Sequence, residues 1–105
     1  MDSLLSRLKS AGTHLQEVFA DRYRGVVLFG SEARGEAKPD SDIDLLVLLE
    51  EPSHFGADLK TIIDVLYPIQ LDLDRVIHAF PVPFRNYQAG TLGLYRQART
   101  EGMVL

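Results

Sequence analysis

Residues 28–47 read LFGSEARGEAKPDSDIDLLV, and this stretch decides how the rest of the chain is organised. An apolar run, residues 24–29, ends at Gly30 and Ser31. Ten residues later Asp42, Ile43 and Asp44 open a second apolar run that continues to residue 49. Short, nearly continuous apolar runs bounded by turn residues are the pattern of strands buried on both faces. Both runs are therefore expected to be strands, the second in mid-sheet. The residues between them tolerate a helix until Gly35 and Pro39 stop it, so one or two helical turns and a loop are expected there.

On the N-terminal side, Leu4, Leu5, Leu8, Ala11, Leu15, Val18 and Phe19 recur at three- and four-residue steps. The spacing predicts an amphipathic helix over 3–20, with Asp2 or Ser3 as its N-cap. On the C-terminal side, Pro52 and Ser53 punctuate the chain before Phe55, Leu59, Ile62, Ile63 and Leu66, a second amphipathic helix expected to end near Pro68. Residues 71–79 (LDLDRVIHA) alternate as a third strand, with Asp72, Asp74, Val76 and His78 on one face and Pro81 and Pro83 closing it. A last helix is expected over 84–99 with Tyr87, Leu94, Tyr95 and Ala98 inward, weakened by Gly90 and Gly93. Residues 100–105 are expected to form a tail or an edge strand. The order describes one α/β (α+β) domain over 1–105, with helices flanking a single sheet.

At 105 residues and 46% hydrophobic, the chain has material for one core. A second domain is not expected, so a large acceptor-binding surface would have to come from another molecule. With no cysteine, disulfides and thiolate metal sites are excluded, whereas a hard cation held by oxygen remains open. No run approaches the roughly 20 apolar residues of a membrane span, and a cytoplasmic protein is the expectation. The formal charge of −4 argues against general nucleic-acid binding and implies that metal ions would neutralise any polyphosphate ligand.

The chemistry concentrates at Gly30-Ser31 and Asp42-Ile43-Asp44. A glycine directly after a buried strand lets backbone approach a ligand closely, and a helix start beyond it would offer unpaired N–H groups to phosphate. Two residues apart on a strand, Asp42 and Asp44 project from one face with Cα atoms roughly 6 to 7 Å apart, so their carboxylates can converge on metal. A third acid should approach from the neighbouring strand to complete octahedral shells with water and phosphate oxygens. Asp74 is the choice, because a mostly apolar run follows it, and Asp72 the reserve. A lone pair of strand-start acids ordinarily faces solvent, but with Gly-Ser at this spacing metal binding is the better account. Arg34 is balanced between an exposed residue and a phosphate or partner contact. His14, His54 and His78 fall on three different elements, and none is expected in the site. Lys38 is expected to be a solvated loop residue, and Tyr87 and Tyr95 core or interface.

Taken together, Gly30-Ser31, Ala33-Arg34-Gly35, Ser41-Asp42-Ile43-Asp44 and the flanking strands resemble the signature of the DNA polymerase β-like nucleotidyltransferases, in the short form called minimal nucleotidyltransferases. The resemblance covers residues 26–49 closely and the remainder by element order. It implies a mixed-sheet palm holding Mg-ATP, with Gly30 and Ser31 (and Arg34) on the nucleotide and Asp42, Asp44 and Asp74 on two Mg²⁺ ions. It also implies a partner: proteins of this family commonly act on a helical HEPN-domain toxin, to which they transfer AMP as its antitoxin. The implied activity is adenylyl transfer from ATP to a hydroxyl, most simply a tyrosine, of such a toxin. Two readings compete with it, a non-catalytic module that neutralises its partner by contact and a stand-alone transferase acting on a small acceptor or an RNA end. Nucleotide preference has no readable pocket in the sequence.

Overall fold

The computed structural model describes residues 3–52 and 54–105. The roles expected of Asp2 as a cap and Ser53 as a break lie outside these residues. Helix α1 (Ser3–Phe19) forms where the periodicity predicts it and buries Leu8, Ala11, Leu15 and Phe19, while Val18 stays exposed. A short 3-10 turn, Ala20–Arg22, leads into β1 (Tyr23–Phe29), which is followed by β2 (Ile43–Leu49). The two pair antiparallel, with Val27 opposite Leu46 and Phe29 opposite Asp44.

The second helix differs from expectation. Helix α2 spans Phe55–Leu73 and runs through Pro68 rather than ending there. An interior proline forfeits a backbone hydrogen bond and crowds the preceding turn, at a cost of about 3 kcal/mol. Continuing packs Ile69 and Leu73, both partly buried, against the core beside Ile62 and Leu66, each returning part of the about 1.5 to 3 kcal/mol that full burial of such a side chain gives. Residues 71–73 therefore end a helix instead of opening a strand: the alternation in LDLD coincides with the helical series Ile62, Leu66, Ile69, Leu73. Asp74 caps the helix in the left-handed conformation, φ 53°.

The third strand, β3 (Ile77–Pro83), consequently starts six residues later than predicted and contains both prolines that were expected to close it. Its position allows them. The sheet order is β3-β2-β1-β4, so β3 has one unpaired edge, where residues without an N–H are tolerated. It pairs parallel with β2, Ile43 opposite Ile77 through Leu49 opposite Pro83. The predicted C-terminal helix is two, α3 (Phe84–Ala89) and α4 (Gly93–Glu101), parted at Gly90, whose φ of 65° closes the first. Strand β4 (Met103–Val104) pairs antiparallel with β1 at the opposite edge.

The mixed sheet is covered on both faces. One core joins α1 and α2 to Val26, Leu28, Ile43, Leu45, Val47 and Leu49. The other joins α3 and α4, through Tyr87, Tyr95 and Ala98, to Val27, Leu46, Leu48 and Val82. Among the described residues, no helix is long and apolar enough to cross a membrane.

Candidate active site

Alternation along β2 sends Leu46 and Leu48 to the α3/α4 side of the sheet, and Asp44 follows the same parity at the strand's N-terminal end. Both neighbouring strands bring chemistry to it. Through the antiparallel register, Phe29 lies opposite Asp44 and the turn at Gly30 begins directly beside it. Through the parallel register, His78 lies opposite Asp44 on the other flank. Asp42, one residue ahead of β2, meets His78 as well: Nε2 of the ring is 2.9 Å from Asp42 Oδ2. Asp42, Asp44 and His78 thus stand together at one end of the sheet.

Gly30 fits this corner because it has no side chain. Its φ is +77°, and a Cβ there would come 2.6 Å from Asp44 Oδ2. The backbone then turns once: the Arg34 N–H donates to Gly30 O at 3.2 Å and the Glu36 N–H to Ser31 O at 2.9 Å. The expected helix does not form after Ser31, because the second of these bonds reaches one residue further than an α-helical bond and the segment goes straight into loop. Ser31 is half-buried in the turn.

An ion pair that periodicity could not show fastens the two loops. Arg75 Nη2 lies 2.7 Å from Glu32 Oε1, with the side chains only 12% and 21% exposed. The same guanidinium donates from Nε to Ser41 O at 2.9 Å. Arg75 therefore ties the residue after Ser31 to the residue before Asp42. Arg34 takes another course, reaching Glu36 at 2.7 Å and Glu101 of α4 at 3.4 Å. With Phe29, Gly30, Gln97, Ala98 and Glu101 it lines a cavity of about 190 Å³ that opens beside the glycine turn.

Asp74 does not occupy the position expected of it. It is exposed at the cap of α2, ahead of β3, and the strand position facing Asp44 belongs to His78. Asp72, the reserve, pairs with Arg7 of α1. Both departures follow from the same physical cause, the continuation of α2 past Pro68. His78, which the sequence reading does not expect in the site, lies on the acid face by parity, a signal present in the alternation itself.

The electrostatics of the corner suit a cation. Burial pushes the Asp44 carboxyl above its ordinary value; the His78 charge pulls it down, the neighbouring Asp42 charge pushes it up again, and Arg34 pulls it down. A carboxylate held this way gains from a positive partner. Among the described residues, no three His, Cys, Asp or Glu side chains already close on one metal position. The donor types nevertheless fit a divalent ion: two carboxylates, an imidazole, and a glycine turn placed so that phosphate oxygens can complete the shell.

Comparison with known proteins gives the same direction. The nucleotidyltransferase domain family matches residues 14–88. The protein adenylyltransferase MntA of Thermococcus cleftensis (strain DSM 27260 / KACC 17922 / CL1) is 40% identical over 75 residues, 70% of this chain and 74% of that protein. A minimal nucleotidyltransferase structure superposes with TM-score 0.58 at 28% identity, over 100% of this chain and 97% of its own. A crystal structure of a toxin–antitoxin with AMP-PNP shares the fold, with TM-score 0.63 at 19% identity, over 91% of this chain and 70% of that one.

Proposed function

Because the chain belongs to the nucleotidyltransferase domain family, in its minimal form, we propose that it transfers AMP from ATP to a hydroxyl of a partner protein, a tyrosine of a HEPN-type helical toxin, and so acts as that toxin's antitoxin. The observation that carries this reading is the close approach of the Gly30 turn to Asp44, which brings a side-chain-free backbone turn against the carboxylates Asp42 and Asp44 at one end of the sheet. The protein acceptor is supported by the adenylyltransferase relative, and the toxin by the occurrence of this fold in toxin–antitoxin assemblies.

In this reading Asp42 and Asp44 hold divalent cation, Mg²⁺ in the family's pattern of two ions. Held by Asp42 and Asp44, a cation would supply positive charge that the acidic chain lacks against the triphosphate and the leaving pyrophosphate. The chain's own part is placement. The Gly30-Ser31 turn receives the phosphates, Arg75 keeps that turn at a fixed distance from Asp42 through Glu32 and Ser41, and the cavity beside Gly30 leaves space for the rest of the nucleotide. The acceptor oxygen bonds to the α-phosphorus as the bond to pyrophosphate breaks, and the hydroxyl proton is released to solvent.

A second reading, neutralisation by contact alone, draws on an exposed apolar stripe along α2: Phe55, Ile63, Tyr67 and Leu71 are 53 to 61% exposed. One experiment separates the two. The protein is incubated with Mg²⁺, the candidate toxin and ATP labelled at either the α- or the γ-phosphate. Transfer of α-label and not γ-label to the toxin supports adenylylation; a stable complex with no label on the toxin favours contact alone.

A further inference from the structure

The third side chain of the corner is an imidazole where the oxygen-donor pattern calls for a carboxylate. The parallel register of β2 and β3 leaves no ambiguity about which residue faces Asp44, since Ile43 pairs with Ile77 and Leu45 with Ala79 on either side. His78 projects to the site face, with its side chain 57% exposed, so nothing in the core requires an imidazole there. It makes a hydrogen-bond contact with Asp42, at a separation that two donors on one cation would also keep. In an octahedral shell with donors at about 2.1 Å, neighbouring donors lie about 3 Å apart, and His78 Nε2 is 2.9 Å from Asp42 Oδ2.

We propose that His78 is the third protein donor of the cation site, binding through Nε2 beside Asp42 and Asp44, and that this moves the site's preference from Mg²⁺ to Mn²⁺. The inference rests on the nucleotidyltransferase reading of the corner. With a cation present, Nε2 gives its lone pair to the metal and the ring proton resides on Nδ1. Carboxylate, water and phosphate oxygens would supply the other donors. Mg²⁺ favours all-oxygen shells, whereas imidazole nitrogen is a better donor to transition metals. Mn²⁺ accepts both kinds of donor and keeps octahedral geometry, so it matches a set of two carboxylates and one imidazole.

Mn²⁺ provides its own probe. Its solution electron-paramagnetic-resonance signal reports the free ion, and pulsed measurements detect directly bound nitrogen. The protein is labelled with ¹⁵N at histidine only and loaded with Mn²⁺ and inorganic triphosphate, which contains no nitrogen. The wild type is expected to show ¹⁵N coupling that His78→Ala abolishes. Loss of the imidazole is expected to weaken Mn²⁺ binding about tenfold or more, while Mg²⁺ binding, measured by competition, changes much less. His78→Asp is expected to restore cation binding with Mg²⁺ favoured. Because the side chain is exposed, these variants are expected to keep the wild-type circular-dichroism spectrum and unfolding midpoint.

Mn²⁺ bound in a manner that Asp42→Asn or Asp44→Asn disrupts, but without ¹⁵N coupling and with unchanged affinity in His78→Ala, overturns the role of His78 and leaves the carboxylate site standing. Absence of any Mn²⁺ or Mg²⁺ binding with triphosphate overturns both.

Discussion

Gly30→Ala tests the close approach of the turn to Asp44, and Gly35→Ala supplies its control. Both glycines lie in the left-handed region, φ +77° and +72°, so alanine at either position carries a similar backbone strain, about 1 kcal/mol. Only one of them adds a collision. At Gly35 the new methyl group meets nothing within 4 Å, whereas at Gly30 it would stand 2.6 Å from Asp44 Oδ2. The carboxylate must rotate away from its present position, at a further cost of about 1 kcal/mol if it leaves its rotamer well. Urea unfolding is therefore expected to show a loss of about 1 kcal/mol for Gly35→Ala and about 2 kcal/mol for Gly30→Ala. Activity should separate the two more widely. A displacement near 1 Å at a reacting centre can lower a rate about 100-fold, so Gly30→Ala is expected to lose adenylyl transfer on that scale while Gly35→Ala retains most of it. Equal activity losses in the two variants would refute the reasoning, because they would assign the effect to backbone strain alone.

Further expectations follow from single contacts. Asp44→Asn should abolish most transfer and at the same time raise the unfolding midpoint at neutral pH. The folded-state carboxyl is pushed upward, chiefly by burial, so its ionisation opposes folding above its unfolded value, and the neutral amide removes that opposition. Asp58 works in the opposite sense. Two hydrogen bonds from Arg22, at 3.0 and 2.7 Å, hold its carboxyl below the ordinary value. Its contribution is complete above the unfolded value of about 3.9 and is lost as pH falls through the lower folded value. Asp58→Asn should cost about 2 kcal/mol at neutral pH and flatten the acid side of a stability–pH curve; an unchanged curve would remove the pair from the account. Gly102→Ala should destabilise by about 2 kcal/mol by overpacking, since its Cβ would come 2.3 Å from Ala98 O and 2.7 Å from Val27 Cγ1. Thermal unfolding at wild-type temperature would show that the turn into β4 yields freely.

Helix α1 and strands β1 and β2 were legible because in each a single periodicity or a single turn residue dominates, whereas Gly90 and Gly93 only weakened an expected single helix that the structure divides in two. The third strand was not legible. Residues 71–74 satisfy both a two-residue and a helical period, and only the tertiary benefit of placing Ile69 and Leu73 on the core decides between them. Pro81 and Pro83 misled for a related reason: proline excludes a central strand, and whether β3 is central or at an edge is a property of the assembled sheet. The same displacement leaves Asp74 at the cap of α2 and puts His78 at the strand position facing Asp44, a residue whose parity is visible in the sequence but whose register is not. The pairing of Glu32 with Arg75 joins distant parts of the chain and left no local trace.

The most direct measurement is an NMR titration of the ¹⁵N-labelled protein with Mg-ATP and, separately, Mn-ATP. With Mg-ATP, saturable shift changes are expected at Gly30, Ser31, Asp42 and Asp44, with the exposed α1 residues Lys9, Thr13 and Gln16 unaffected. With Mn-ATP, paramagnetic broadening should centre on Asp42, Asp44 and His78. Shifts and broadening that spare those residues and gather elsewhere would contradict a nucleotide site at this end of the sheet.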